Sequence, residues 1–326
     1  MLYAKHMQRI GECMKEYEIR TDLALEETER FEGENGEIKG VRVEEAFDEE
    51  RLVTTTVVYI DTEQGAKVMG KPLGCYITLE APAMDENDEE YHREISECVA
   101  HQIEKLLDCN ADKKILVVGL GNREVTADSL GPLVVDNLFV TRHLIREYGQ
   151  EVFGEKTFCQ VSSVAPGVMA QTGMETSEII HGIVEATKPD ALVVIDALAA
   201  RNTGRLSRTI QITDTGIHPG SGVGNYRNAI TKETMGIPVI SLGVPTVVDA
   251  ATIVKDTMDN LLSALNQGSM EKIYKEFGEE EQYQLIRELL APSLHTMYVT
   301  PKNMDETVKR LSFTISEALN MAFANH

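Results

Sequence analysis

The chain has 326 residues, with 31 Lys plus Arg against 53 Asp plus Glu and a formal net charge of -22. That balance excludes nucleic-acid binding by phosphate neutralisation, which needs surplus cations, and 42% hydrophobic residues exclude wholesale disorder. No apolar run approaches the roughly 20 residues of a membrane span. The N-terminal MLYAKHMQRIGECMKEYEIR lacks the apolar stretch of a secretory signal, so a soluble, cytoplasmic protein without a membrane partner is expected. Five widely spaced cysteines, none in a CxxC pair, predict reduced structural thiols rather than zinc ligands or disulfides.

In chain order, residues 37–46, 51–61 and 74–82 carry the β-branched alternation of antiparallel strands, as in V-T-T-T-V-V-Y-I. The acidic runs Glu44-Glu45…Asp48-Glu49-Glu50 and Asp85–Glu90 read as solvated faces or loops. A helix is predicted over 88–108, with Ile95, Val99, Ile103, Leu106 and Leu107 on its apolar face. From Lys114 the pattern changes. ILVVGLGN (115–122) is a continuous apolar strand of the kind buried on both faces. A helix over 128–148, a strand over 157–168 and a helix over 176–187 follow. Then come a second buried strand, ALVVIDAL (191–198), an alternating strand at 209–217 and another strand at 238–248. Helices over 249–265 and 303–324 close the chain, the last burying Val308, Leu311, Ile315, Leu319 and Met321. Strands alternating with helices indicate an α/β fold: a three-layer sheet with helices on both faces and a mostly parallel core over 112–326. The β-rich segment and helix over 23–111 form an N-terminal antiparallel excursion packed on that core.

Ligands in such sheets bind beyond the carboxyl ends of the strands. There the first buried strand runs into V-V-G-L-G-N-R-E-V-T-A-D-S-L-G-P (117–132) and the second into V-V-I-D-A-L-A-A (193–200). The first is not a dinucleotide fingerprint, because Glu124 stands where the third glycine belongs and would repel pyrophosphate. Asp128 reads equally as a helix N-cap or as a presented carboxylate. Asp196 follows four apolar residues, where a charge is costly unless it is paired, hydrogen-bonded or protonated. Two such carboxylates converging on one crevice suit acid–base hydrolysis with one shared proton. His218, and the glycines Gly220, Gly222 and Gly224 after it, are weaker candidates; each also reads as an ordinary loop residue.

VVGLGNREVTADSLGP, SSVAPGVMAQTGMET, KPDALVVIDALAAR and TDTGIHPGSGVGN together resemble the germination protease family of spore-forming bacteria. The likeness extends from about residue 18, where E-I-R-T-D-L-A-L-E resembles the family's propeptide-processing region; taken alone, residues 18–26 read as a strand or loop with a charged edge. The resemblance implies an aspartic-type endopeptidase acting on small acid-soluble spore proteins, located in the developing spore core. It also implies a self-processing zymogen and a homotetramer; no metal or other cofactor is assigned. Asp128 and Asp196 fall on the family's essential aspartates, with Glu124 and His218 as possible supporting groups. Residues 1–22 would be the propeptide, cut between Asp22 and Leu23, because T-D-L-A is similar to the T-E-(F/I)-A sites cut in the substrates. The α/β core also resembles the hydrogenase maturation proteases, which leaves a metal-dependent peptidase as an alternative, and a non-catalytic binding module as a third.

Overall fold

A computed structural model describes residues 21–32, 38–220, 227–265 and 297–325, with isolated positions between 282 and 294. In chain order the strands are β1 (Val41–Asp48), β2 (Val53–Ile60), β3 (Gly74–Glu80), β4 (Lys114–Gly119), β5 (Thr157–Phe158), β6 (Gln160–Val164), β7 (Ala191–Ala200), β8 (Thr209–Thr213), β9 (Val239–Asp249), β10 (Tyr298–Val299) and β11 (Ala324–Asn325). Nine of them form one sheet in the order β1-β2-β3-β8-β9-β7-β4-β6, with β10 on β9. The pairs β9–β7, β7–β4 and β4–β6 are parallel. From β9 through β8 to β1 every pair is antiparallel, so the N-terminal strands continue the same sheet through the β3–β8 pairing.

Alternate residues of the central strands serve two cores. Ile115, Val117, Val193 and Ile195 pack with Ile95, Val99 and Ile103 of helix Glu89–Leu106 and with Leu311 and Ile315 of helix Met304–Ala322. Leu116, Val118, Leu192 and Val194 pack with Ile180 and Val184 of helix Thr176–Thr187. This is the three-layer α/β arrangement that unbroken apolar strands require, since each side chain must find an apolar partner on its own side of the sheet. Each fully buried Leu or Ile contributes about 1.5–3 kcal/mol. Among the described residues no helix is long and apolar enough to cross a membrane. The described cysteines, Cys75, Cys98, Cys109 and Cys159, are unbridged.

Three local expectations are corrected. The single helix over 128–148 is instead a 3-10 turn (Thr126–Asp128) followed by helices Leu130–Asn137 and Arg142–Tyr148. Buried Thr141 makes the break: its amide donates to Val161 O at 3.1 Å and its hydroxyl donates to the Cys159 carbonyl, tying the chain to β6. A short helix, Glu63–Met69, lies between β2 and β3, where none is expected; Thr62 Oγ1 accepts from Gly65 N at 3.1 Å and Gly70 closes it with φ 61°. Ala24–Glu32 is helical rather than strand or loop.

Candidate active site

β4 and β7 lie side by side and parallel, so their carboxyl ends open on one edge of the sheet. Asp196 on β7 is paired with Gly243 on β9, and Gly243 with Gln211 on β8. Directly paired residues present their side chains to the same face. Asp196 and Gln211 therefore rise from one face two strands apart, about 9.6 Å by strand spacing, with only a glycine between them. A Cβ on Gly243 would stand 2.6 Å from Leu198 Cγ and 2.9 Å from Asp196 O, so glycine makes room here for the Leu198 side chain, which lies over it.

Asp128 reaches the same edge from the turn after β4. That turn is held by close backbone contact. A Cβ on Gly119 would lie 2.1 Å from Gly131 O, and one on Gly131 would lie 2.4 Å from Leu120 O and 2.6 Å from Ile195 O. The Asp128 side chain folds back so that Oδ2 accepts the Asn122 amide at 2.8 Å. It is not a helix N-cap: Ser129 holds that position for helix Leu130–Asn137 and makes no side-chain cap bond. Thr246 Oγ1 donates to Ala127 O at 2.6 Å and Thr126 Oγ1 to Asp305 Oδ1 at 2.6 Å, fixing the turn from β9 and from the last helix.

Asp196 is 8% exposed, and its Oδ1 accepts the Ala197 amide at 2.9 Å. Burial holds its carboxyl well above the usual carboxylate range, and the charges of Asp128 and Asp22 push the same way. Burial also raises the Asp128 carboxyl, against the lowering effect of the Asn122 amide. Carboxyls that repel one another give up the second proton less readily than either would alone. Glu124 is exposed, and its amide donates to Asn122 Oδ1 at 3.0 Å. His218 is half-buried in a cavity of ≈ 60 Å³ that it shares with Asp22, Lys71 and Gln211. Burial, then the Lys71 charge, holds its imidazole below the usual histidine range. Among the described residues no three His, Cys, Asp or Glu side chains are grouped to hold a metal ion. Glu124 and His218 complete no such group with the aspartates. Gly222 and Gly224 lie outside the described residues.

The segment Thr21–Glu26 runs along the far end of β7. Asp22 N donates to Ala199 O at 3.2 Å, and Ala199 N donates back to Asp22 Oδ2 at 2.9 Å. Leu23 is 0% exposed, among Leu198, Ala200 and Val248. The Glu26 carboxylate accepts from Arg201 N at 2.8 Å, from Asn202 N at 3.0 Å and from the Thr21 hydroxyl. Buried Arg205 ties this region together, pairing with Glu26 at 3.4 Å, Glu80 at 3.0 Å and Glu29.

The sequence profile of germination proteases matches residues 18–276. The chain belongs to the germination protease family. It is 46% identical over 309 residues to the germination protease of Caldanaerobacter subterraneus subsp. tengcongensis, covering 93% of this chain and 94% of that one. It is 44% identical to a Clostridium perfringens germination protease over 94% of this chain and 95% of that one, and 41% identical to one from Bacillus cereus over 95% and 94%. A solved [NiFe] hydrogenase maturation protease from Thermococcus kodakarensis aligns with 65% of this chain and 96% of its own at 17% identity, with a TM-score of 0.32.

In this member of the germination protease family, three groups that hold the segment from Asp22 to Glu29 carry little signal in sequence. Gln211 sits in an alternating strand, Lys71 between Gly70 and Pro72, and Arg205 after a loop glycine. None belongs to a motif. For Arg205 the one available cue is the acid spacing Glu26–Glu29 on a helix, which an i, i+3 reading pairs on one face.

Proposed function

We propose that this protein is an aspartic-type endopeptidase that starts the degradation of small acid-soluble spore proteins at germination, acting as a homotetramer in the spore core. It is made as a zymogen that removes residues 1–22 by cutting between Asp22 and Leu23. Family membership supports the peptidase activity. The observation that carries the chemistry is that Asp22 is bonded to β7 three residues beyond Asp196, its amide donating to Ala199 O at 3.2 Å and its Oδ2 accepting the Ala199 amide at 2.9 Å, so the T-D-L-A segment lies beside the strand that bears the acid.

Asp196, the more strongly raised acid, holds the shared proton, and Asp128 is the base. Water loses a proton to Asp128 as its oxygen bonds to the Asp22 carbonyl carbon, and the carbonyl pair moves to oxygen. As that pair returns, the C–N bond to Leu23 breaks and the leaving nitrogen takes the proton from Asp196. The acidic residue before the cut is recognised by the Ala199 amide, as Asp22 Oδ2 is here. A substrate glutamate, one methylene longer, meets the same donor.

The test is N-terminal sequencing of full-length protein held at mildly acidic pH, with and without EDTA. A new terminus at Leu23 in the wild type, absent in Asp128→Asn and Asp196→Asn, is expected. Rates should fall by at least about 10²-fold in each variant. The rate should also fall as pH rises through the Asp196 titration, because the doubly ionised pair lacks the proton the leaving nitrogen needs. Cleavage elsewhere, or an unchanged cut in the variants, refutes the assignment, and loss of the cut in EDTA favours the metal-dependent alternative.

A further inference from the structure

We propose that Lys71 and Gln211 form the oxyanion site of this protease, a pair of donors that takes up the negative charge developing on the oxygen of the cleaved carbonyl. Both donors already sit on the carbonyl of Asp22. Gln211 Nε2 donates to Asp22 O at 3.0 Å, and Lys71 Nζ donates to the same oxygen at 3.1 Å. Two donors on one carbonyl oxygen, one of them cationic, are the arrangement that stabilises a tetrahedral intermediate.

Neither contact is an accident of long surface side chains. Gln211 is 7% exposed and makes a two-ended clamp: its Nε2 holds Asp22 O while its Oε1 accepts from Ala24 N at 2.7 Å. The clamp spans Leu23, one end on the Asp22 carbonyl and the other on the Ala24 amide, and so fixes the Asp22–Leu23 peptide against β8. Lys71 Nζ also donates to Thr21 O at 3.0 Å, so the ammonium bridges two successive carbonyls. The helix Glu63–Met69 ends at Gly70 and delivers Lys71 to this place. The sheet register then separates the roles. Asp196 and Gln211 rise from the same face on opposite sides of Gly243. The acid pair thus approaches the peptide from the β7 side and the two donors from the β8 side.

The balance of the step is unchanged from the one above. When water oxygen bonds to the Asp22 carbon, the carbonyl electron pair moves to the oxygen held by Lys71 and Gln211. It returns when the C–N bond breaks, and neither donor loses its proton. Asp196 is then free to serve the leaving nitrogen instead of the carbonyl.

Both roles rest on the cleavage point proposed above, and the experiment separates the two. Full-length wild type, Lys71→Met, Lys71→Arg and Gln211→Met are compared for the first-order rate of self-processing and for hydrogen exchange at the Ala24 amide before any cut. If Lys71 only seats the segment, Lys71→Met should lose rate and Ala24 protection together. If Lys71 stabilises the oxyanion, Lys71→Met should slow processing about 10²–10³-fold while Ala24, whose partner is Gln211, stays protected; Lys71→Arg, which keeps the charge, should recover part of the rate. Gln211→Met should lose both rate and protection, since it removes the donor and the acceptor. A wild-type rate in Lys71→Met, or a loss of rate matched by loss of Ala24 protection, overturns the oxyanion role while leaving the cut itself intact. A wild type that produces no terminus at Leu23 overturns both.

Discussion

Gly131→Ala tests whether the close approach of strand and helix is what aims Asp128. A Cβ at this position would lie 2.4 Å from Leu120 O and 2.6 Å from both Leu120 N and Ile195 O, all backbone atoms that no rotamer change can move. Ordinary van der Waals separation is about 3.5 Å, so helix Leu130–Asn137 must back away by about 1 Å. Because Asp128 lies two residues before that helix and Ile195 immediately precedes Asp196, the displacement falls between the two carboxyls. A misplacement of about 1 Å costs on the order of 10²-fold in rate, and overpacking costs about 1–3 kcal/mol. Gly182, inside helix Thr176–Thr187, provides the matched control: its added Cβ meets nothing within 4 Å. Gly182→Ala should raise stability by about 0.5–1 kcal/mol and leave processing alone. The assay is self-processing rate alongside urea unfolding. A Gly131→Ala protein that processes at the wild-type rate, or a Gly182→Ala protein that is equally impaired, would show that this contact does not set the geometry.

Two further outcomes follow from the buried charges. Asp196 titrates above the ordinary carboxylate range when folded, through burial first and the Asp128 and Asp22 charges next, and near ~3.9 when unfolded. The folded state holds the proton between those values, so this group's contribution to stability is full at low pH and is lost as pH rises through the folded value. Asp196→Asn should therefore melt higher than wild type at neutral pH, with the gap closing on acidification; a gap that is constant or reversed across pH refutes the sign. Arg205→Ala leaves Glu26, 1% exposed, without its buried cation and should cost about 3–5 kcal/mol in urea unfolding, with faster amide exchange across Ala24–Glu32. Arg205→Lys should restore only part of this, because a lysine cannot make the paired contacts to Glu29. Unchanged stability in Arg205→Ala would remove the network as an anchor.

What the sequence made legible follows the strength of each physical signal. Residues 115–119 and 191–195 are apolar without alternation, and a strand buried on both faces leaves little other choice. Asp196 stands out because a carboxylate directly after such a run must be explained by a partner or a proton. Periodicity is blind to the helix Glu63–Met69, which spans fewer than two turns, although its Thr62 cap and Gly70 stop are ordinary signals. The break at Thr141 was hidden because its cause is non-local: the hydroxyl and amide bond to Cys159 and to Val161 of β6, eighteen and twenty residues away. The same holds at the candidate site. Lys71 and Gln211 are separated from Asp22 by 49 and 189 residues, and neither stands in a motif. Acids were conspicuous because burying them is costly, whereas the donors opposite them are satisfied by a peptide carbonyl and cost little. A sequence therefore shows the half of this site that is electrostatically strained, and the fold is needed to show the half that is not.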